Sequence, residues 1–76
     1  MANNNEFSFN IEKHLGVLST SQKGWTKEIN LVSWNGRPAK YDIRDWDENH
    51  EKMGKGITLT EEELEALVKI MAELWG

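Results

Sequence analysis

The chain contains no cysteine. Disulfide staples and thiolate metal sites are therefore excluded, and these are two usual supports of small domains. Histidine is nearly absent too. His14 and His50 are the only two, a poor ligand set for zinc without cysteine. No apolar run approaches the roughly 20 residues that span a bilayer. The opening "MANNNEF" has neither the basic start nor the apolar core of a secretory signal. No membrane, metal or cofactor is expected, and the cytoplasm is the default compartment.

Catalytic signals are equally thin. There is no cysteine nucleophile and no Ser/His/Asp arrangement on a plausible elbow. Asp42, Asp45, Asp47 and His50 match no metal-ligand spacing, and Asp42 and Asp45 should leave a strand on opposite faces. Gly54-Lys55-Gly56 resembles a fragment of a phosphate loop, but the rest of that motif is missing, so a turn beside a basic residue is expected. The chain is read as a non-enzyme with no catalytic residue.

With 76 residues, one small domain is the expectation, over 7–76, after a loose polar segment at 1–6. A core that small usually needs support. With disulfides and metal excluded, oligomerisation is left, and a homodimer is expected.

Net charge is −4, which alone argues against a polyanion partner. Its distribution argues otherwise. From 61 to 76 five glutamates face one lysine, whereas from 13 to 44 six bases face only Glu28 and Asp42. The middle of the chain is basic, and local charge guides a polyanion more than net charge does.

Phe7, Phe9, Ile11, Leu15 and Val17 alternate with polar residues, the period of a half-buried strand. A three-residue loop, Gln22-Lys23-Gly24, would pair Ser21 with Trp25, Val17 with Ile29 and Leu15 with Leu31. "TKEINLVSW" is the second strand, and Asn35-Gly36 signals another turn. A three-residue loop over 35–37 would pair Leu31 with Tyr41 and Ile29 with Ile43, so apolar residues meet. "GITLT" supplies a short fourth strand with Ile57 and Leu59 inward. Thr60 and Glu63 then form a capping-box pattern, followed by an apolar stripe of Leu64, Leu67, Val68, Met71 and Trp75. Four strands followed by one helix give an α+β layout, ββββα, with the helix on one sheet face.

In "VSWNGRPAKYDIRDW" this register has a further consequence. Trp34, Lys40, Arg44 and Trp46 share the sheet face opposite to Ile29 and Leu31, with Glu28 across from Arg44 and Asn30 across from Asp42. An exposed aromatic on a basic face is how single-stranded nucleic acid is held, because every base can stack, at about 1–3 kcal/mol each. Lys23, Lys27, Arg37, Lys52 and Lys55 would add phosphate contacts if they gather around the sheet edges. The same residues could instead be core, solvated charges or a protein-binding patch. Trp25, near a strand end, has no clear direction.

The stretch from about Trp25 to Met71 resembles the single-stranded-DNA-binding domain of transcriptional positive cofactor four, in particular its small bacterial YdbC-type branch. The match rests on "VSWNG", "YDIRDW", "KMGKGITLTEEE" and the helix that follows. The resemblance implies a homodimer of curved antiparallel sheets with helices at the dimer contact, through Leu64, Leu67, Val68, Met71 and Trp75. It implies sequence-tolerant binding of single-stranded DNA on the outer sheet surfaces. Trp34 matches the family's stacking aromatic, Arg44 the Arg of Asp-Ile-Arg, Arg37 a basic hairpin residue and Lys55 the Lys before Gly-Ile. Trp46 stands next to a stacking position. Asn35 and Trp25 stand where eukaryotic members carry lysines, and the serine- and lysine-rich regulatory tail is absent. The expected nucleic-acid contacts are thus Trp25, Lys27, Trp34, Asn35, Arg37, Lys40, Arg44, Trp46, Lys52 and Lys55. Single-stranded RNA is a close variant, since stacking and phosphate contact do not require a missing 2′-hydroxyl. Transcription or repair proteins are the further partners expected.

Overall fold

Strands β1 (Phe9–Thr20), β2 (Thr26–Trp34), β3 (Lys40–Trp46) and β4 (Met53–Leu59) precede a helix, α1 (Glu61–Trp75). This is a computed structural model that describes residues 7–76, so the loose segment expected at 1–6 lies outside it. The strands form one antiparallel sheet in the order β1-β2-β3-β4. The ββββα layout read from the sequence is the observed one.

The first hairpin turns where expected. The Ser21 amide donates to the Trp25 carbonyl (2.7 Å), and Gly24 takes φ +87°, open to glycine. The register beyond the turn departs from expectation. Ser19 pairs with Lys27, but Val17 then pairs with Glu28, His14 with Asn30 and Ile11 with Val32. Three register shifts separate these pairs, so 12 residues of β1 run beside 9 of β2. Each shift inserts one extra residue and reverses which side of β1 faces which side of β2. The expected pairs Val17–Ile29 and Leu15–Leu31 are therefore not formed. Phe9, Ile11 and Val17 share a face with Trp34, Val32 and Glu28 instead.

The second hairpin keeps the expected register, with Leu31 opposite Tyr41, Ile29 opposite Ile43 and Glu28 opposite Arg44. Its turn is tighter than the expected three-residue loop. Asn35 (φ +53°) and Gly36 (φ +76°) are both left-handed, and the Arg37 amide donates to the Trp34 carbonyl at 3.0 Å. That is a two-residue turn of the kind Asn-Gly favours. The extra residue is absorbed between Arg37 and Lys40, where the Ser33 hydroxyl donates to the Arg37 carbonyl (2.6 Å).

β4 begins at Met53, so Gly54-Lys55-Gly56 is strand rather than the expected turn. Gly56 is needed for close approach. A Cβ there would lie 2.3 Å from Arg44 Cβ and from the Ile43 carbonyl oxygen.

The sheet coils strongly. Phe9 pairs with Trp34 at one end of β2, and Trp46 with Thr26 at the other. Eight residues of strand separate those ends, roughly 26 Å at about 3.3 Å per residue. Yet the Phe9 and Trp46 rings lie 5.2 Å apart, and the Arg44 guanidinium lies 4.6 Å from the Trp34 ring. Only a sheet curled toward this face brings those corners together, and bulges in β1 supply such twist. The residues sealed inside are Val32, Trp46, Asn30 and Asp42, with Glu28 at 3 % exposure.

The opposite face is less covered. Ile29, Leu31, Tyr41 and Ile43 are half-buried and Ile57 is exposed. Helix α1 touches β3 and β4. Its capping box is formed. The Thr60 hydroxyl accepts from the Glu63 amide (3.1 Å), and the Glu63 carboxylate accepts from the Thr60 amide (2.9 Å). Leu64 and Met71 are half-buried, while Leu67, Val68, Ile70, Leu74 and Trp75 are exposed.

Candidate nucleic-acid interface

The face carrying Trp34, Lys40, Arg44 and Trp46 is concave, and its floor is closed. The expectation that both tryptophans lie open on it is corrected. Trp46 has no exposed surface, because the coiled β1 lays Phe9 on it and His50 packs on its ring at 5.7 Å. Trp34 remains half-buried at the rim. Phe7 (61 % exposed) lies 5.7 Å from it and Phe9 lies 6.0 Å from it. The rim is thus an aromatic cluster with one open end. The indole nitrogens of Trp34 and Trp46 are both buried with no acceptor among the described residues.

Arg44 lies across from Glu28, as the register predicts. It binds Asp42 on its own strand instead, Nε to Oδ1 at 2.6 Å and Nη2 to Oδ2 at 2.8 Å. The Thr58 hydroxyl donates to the same carboxylate (3.0 Å), so buried Asp42 is fully engaged. Arg44 also reaches the Gly54 carbonyl (3.4 Å) while lying on the Trp34 ring. A paired guanidinium held over an indole extends the aromatic surface more than it adds free charge.

Glu28 is served by other partners. Thr26 Oγ1, Asn30 Nδ2 (3.1 Å) and His50 Nε2 (2.9 Å) donate to it, and His14 Nδ1 approaches to 3.5 Å. Burial pushes its carboxyl up, but the hydrogen bonds from Thr26, Asn30 and His50 and the charge of His50 outweigh that and hold it below the usual range. His14 also bonds Asn30 Oδ1 at 2.7 Å. By sequence alone both histidines are only poor metal ligands. The signal that reveals their role is the bulged register, which brings His14 opposite Asn30. No group of three metal-ligating side chains occurs among the described residues.

The remaining candidates divide into two groups. Lys40, Arg37 and Asn35 are exposed around the Trp34 rim. Asn35 also holds the chain before β1, its Oδ1 accepting from the Ser8 amide at 2.9 Å. Lys52 is exposed in the β3–β4 loop, whereas Lys55, exposed in β4 beside the Gly56 that pairs with Arg44, leaves the other side of the sheet. In that loop Asp47 accepts from the amides of Lys52 (2.9 Å) and Glu51 (2.8 Å), which hold its carboxyl below the usual range. Lys27 alternates with Glu28, so it leaves the other side of the sheet. There it pairs with Asp45 (3.7 Å), and with Trp25 and Lys23 it lines a separate cavity of about 580 Å³. The ten candidates therefore do not form one surface.

A protein of Treponema pallidum (strain Nichols), described only as uncharacterized, is 52 % identical over 64 residues, 84 % of this chain and 75 % of that one. Residues 21–70 match the model of a family described as Transcriptional Coactivator p15 (PC4). That span runs from the first turn into α1 and holds most of the rim and the buried polar network. The chain belongs to the Transcriptional Coactivator p15 (PC4) family, nucleic-acid-binding domains with transcription-related roles.

Proposed function

We propose that this protein binds single-stranded DNA without strong sequence preference, as a homodimer, in transcription or in replication and repair. The observation that carries the reading is the Trp34 rim. A half-open indole is backed by Arg44 on its ring, edged by exposed Phe7 and surrounded by Arg37 and Lys40. Bases stack on Trp34 and Phe7, and phosphates meet Arg37, Lys40 and Lys52 in the β3–β4 loop. Trp46 acts from beneath by fixing Phe9. Trp25 and Lys27 lie on the other side of the sheet and take no part in this stack. The homodimer rests on a separate observation. The helix leaves Leu67, Val68 and Trp75 in solvent, Trp75 at 79 % exposure, around an apolar groove shared with Met71. A second copy of the stripe would cover it.

Titration with an oligo-thymidine, followed by tryptophan fluorescence at low and moderate salt, tests the rim. Trp34→Ala should weaken binding by roughly 5- to 150-fold, the equivalent of one base stack of about 1–3 kcal/mol. A combined Arg37→Ala, Lys40→Ala variant should lower the salt slope by about 0.7 for each phosphate that is no longer neutralised. An oligo-uridine competitor decides between DNA and RNA. Absence of binding at low salt overturns the reading.

A further inference from the structure

The concave face carries a second group of polar side chains, beside the Trp34 rim rather than in it. His14 on β1 and His50 in the β3–β4 loop converge on one buried oxygen, Glu28 Oε1, at 3.5 Å and 3.0 Å. Together with Ile11 and Val17 they line a cavity of about 450 Å³ open to solvent. Both rings are partly exposed, 52 % for the His14 side chain and 40 % for that of His50.

The buried network fixes the proton on each ring. Glu28 is held ionised and can only accept. It therefore takes the amide nitrogen of Asn30 and leaves Asn30 Oδ1 toward His14. An amide oxygen also only accepts, so His14 Nδ1 carries the proton. His50 Nε2 donates to Glu28 by the same argument. The other nitrogens, Nε2 of His14 and Nδ1 of His50, have no partner among the described residues. Each ring is thus anchored through one nitrogen and leaves the other unpartnered, in a part-exposed side chain that lines the cavity. In the neutral state that second nitrogen is an acceptor. On protonation it becomes a charged donor, while the anchoring bond to the Glu28–Asn30 network is kept.

We propose that His14 and His50 form a proton-operated phosphate subsite on the concave face, which engages a strand phosphate when both rings are protonated, so that strand binding takes up protons. The inference rests on the single-strand reading of the Trp34 rim. Two imidazolium charges against the single carboxylate of Glu28 leave the patch positive, whereas two neutral rings leave it negative. The other charged groups around it are accounted for. From β3 the Asp42–Arg44 ion pair is internally matched, and from β4 Thr58 adds only a hydroxyl. Glu12 and Lys13 precede His14 on β1 as opposite charges, and Glu51 and Lys52 follow His50 as another such exposed pair. Asp47, which opens the His50 loop, is tied to backbone amides and held below the usual carboxylate range.

The test compares oligo-thymidine affinity at low salt at about pH 8 and about pH 5.5, the interval in which histidine ordinarily changes charge. Thymine does not titrate there. Glu28, held below its usual range, stays ionised throughout. Wild-type affinity should rise about tenfold toward the lower pH, and the salt slope should steepen by about 0.7 for the added phosphate. A combined His14→Gln, His50→Gln variant should match wild type at the higher pH and show no rise. Calorimetric titration of the wild-type protein in two buffers of different ionisation heat should show proton uptake on binding, a readout that does not depend on the variant folding. Binding equal at both pH values without proton uptake overturns this subsite and leaves the single-strand reading standing. A pH response that survives in the folded double variant also overturns it. Absence of binding at either pH overturns both.

Discussion

On the concave side of the sheet, Glu28, Asn30, Val32, Asp42 and Trp46 are out of solvent within one protomer. On α1, Leu67, Val68, Ile70, Leu74 and Trp75 are all in it. The side that buries its residues is rich in polar groups, and the side that exposes them is apolar. Simple partitioning would predict the reverse. Polar groups can be buried when each finds a partner, and here Asp42 has Arg44 and Thr58 while Glu28 has Thr26, Asn30 and both histidines. Among the described residues the apolar stripe has no equivalent solution, because α1 meets the sheet at β3 and β4 only. The concave side is therefore a self-contained core, and the helix side is a surface suited to a second copy.

The sharpest way to break this comparison is Asp42→Ala. It removes the acceptor of a two-point bond from a guanidinium whose side chain is only 15 % exposed. Removing one partner of such a pair costs about 3–5 kcal/mol, because the other charge is left in the fold without compensation. A domain of this size holds roughly 4–11 kcal/mol in total. Urea unfolding should show the midpoint collapse toward zero denaturant. A variant as stable as wild type would mean that the concave side is not the core.

The contrast also explains which features the sequence discloses. Register across the second hairpin is legible because four apolar residues, Ile29, Leu31, Tyr41 and Ile43, pair in only one alignment. The capping box is legible because it is local, three residues from Thr60 to Glu63. The curl of the sheet is not. It depends on three extra residues in β1, and only the second shift is marked, by Gly16 beside Leu15, whereas Glu12 and Leu18 carry no glycine signal and the apolar alternation of β1 hides them. Without the bulges His14 cannot be placed beside Glu28, nor Phe9 over Trp46. Trp34, Arg37, Lys40 and Arg44 are legible as one group because they flank one turn. Trp25 joins them by resemblance and Lys27 by charge, although strand alternation sends Lys27 to the other side.

The next prediction takes the helix side. Val68→Glu places a charge on a position that is exposed in the protomer, where surface substitutions usually change stability by no more than about 0.5 kcal/mol. In a dimer packed through the stripe, the same charge is desolvated without a partner. Sedimentation should therefore show a dimeric wild type and a monomeric variant, and the melting temperature should lose its dependence on concentration. A monomeric wild type would overturn the dimer and leave the stripe unexplained by a second copy.

The smallest effect separates local from tertiary support of the helix. Thr60→Ala removes the hydroxyl that accepts from the Glu63 amide, at a cost of about 1 kcal/mol. No residue of α1 is fully buried in the protomer, so within a monomer the helix depends mainly on its own caps. In the Val68→Glu background the substitution should lower helical circular dichroism and speed amide exchange in the first turn, while the melting of the sheet stays unchanged. If a second copy covers the stripe, helix and sheet are coupled through it, and the same substitution in the otherwise wild-type chain should lower the single cooperative melting transition. Equal shifts of helix and sheet in both backgrounds would show that α1 is already locked to its own sheet, and the division between a self-contained face and a dependent one would fall.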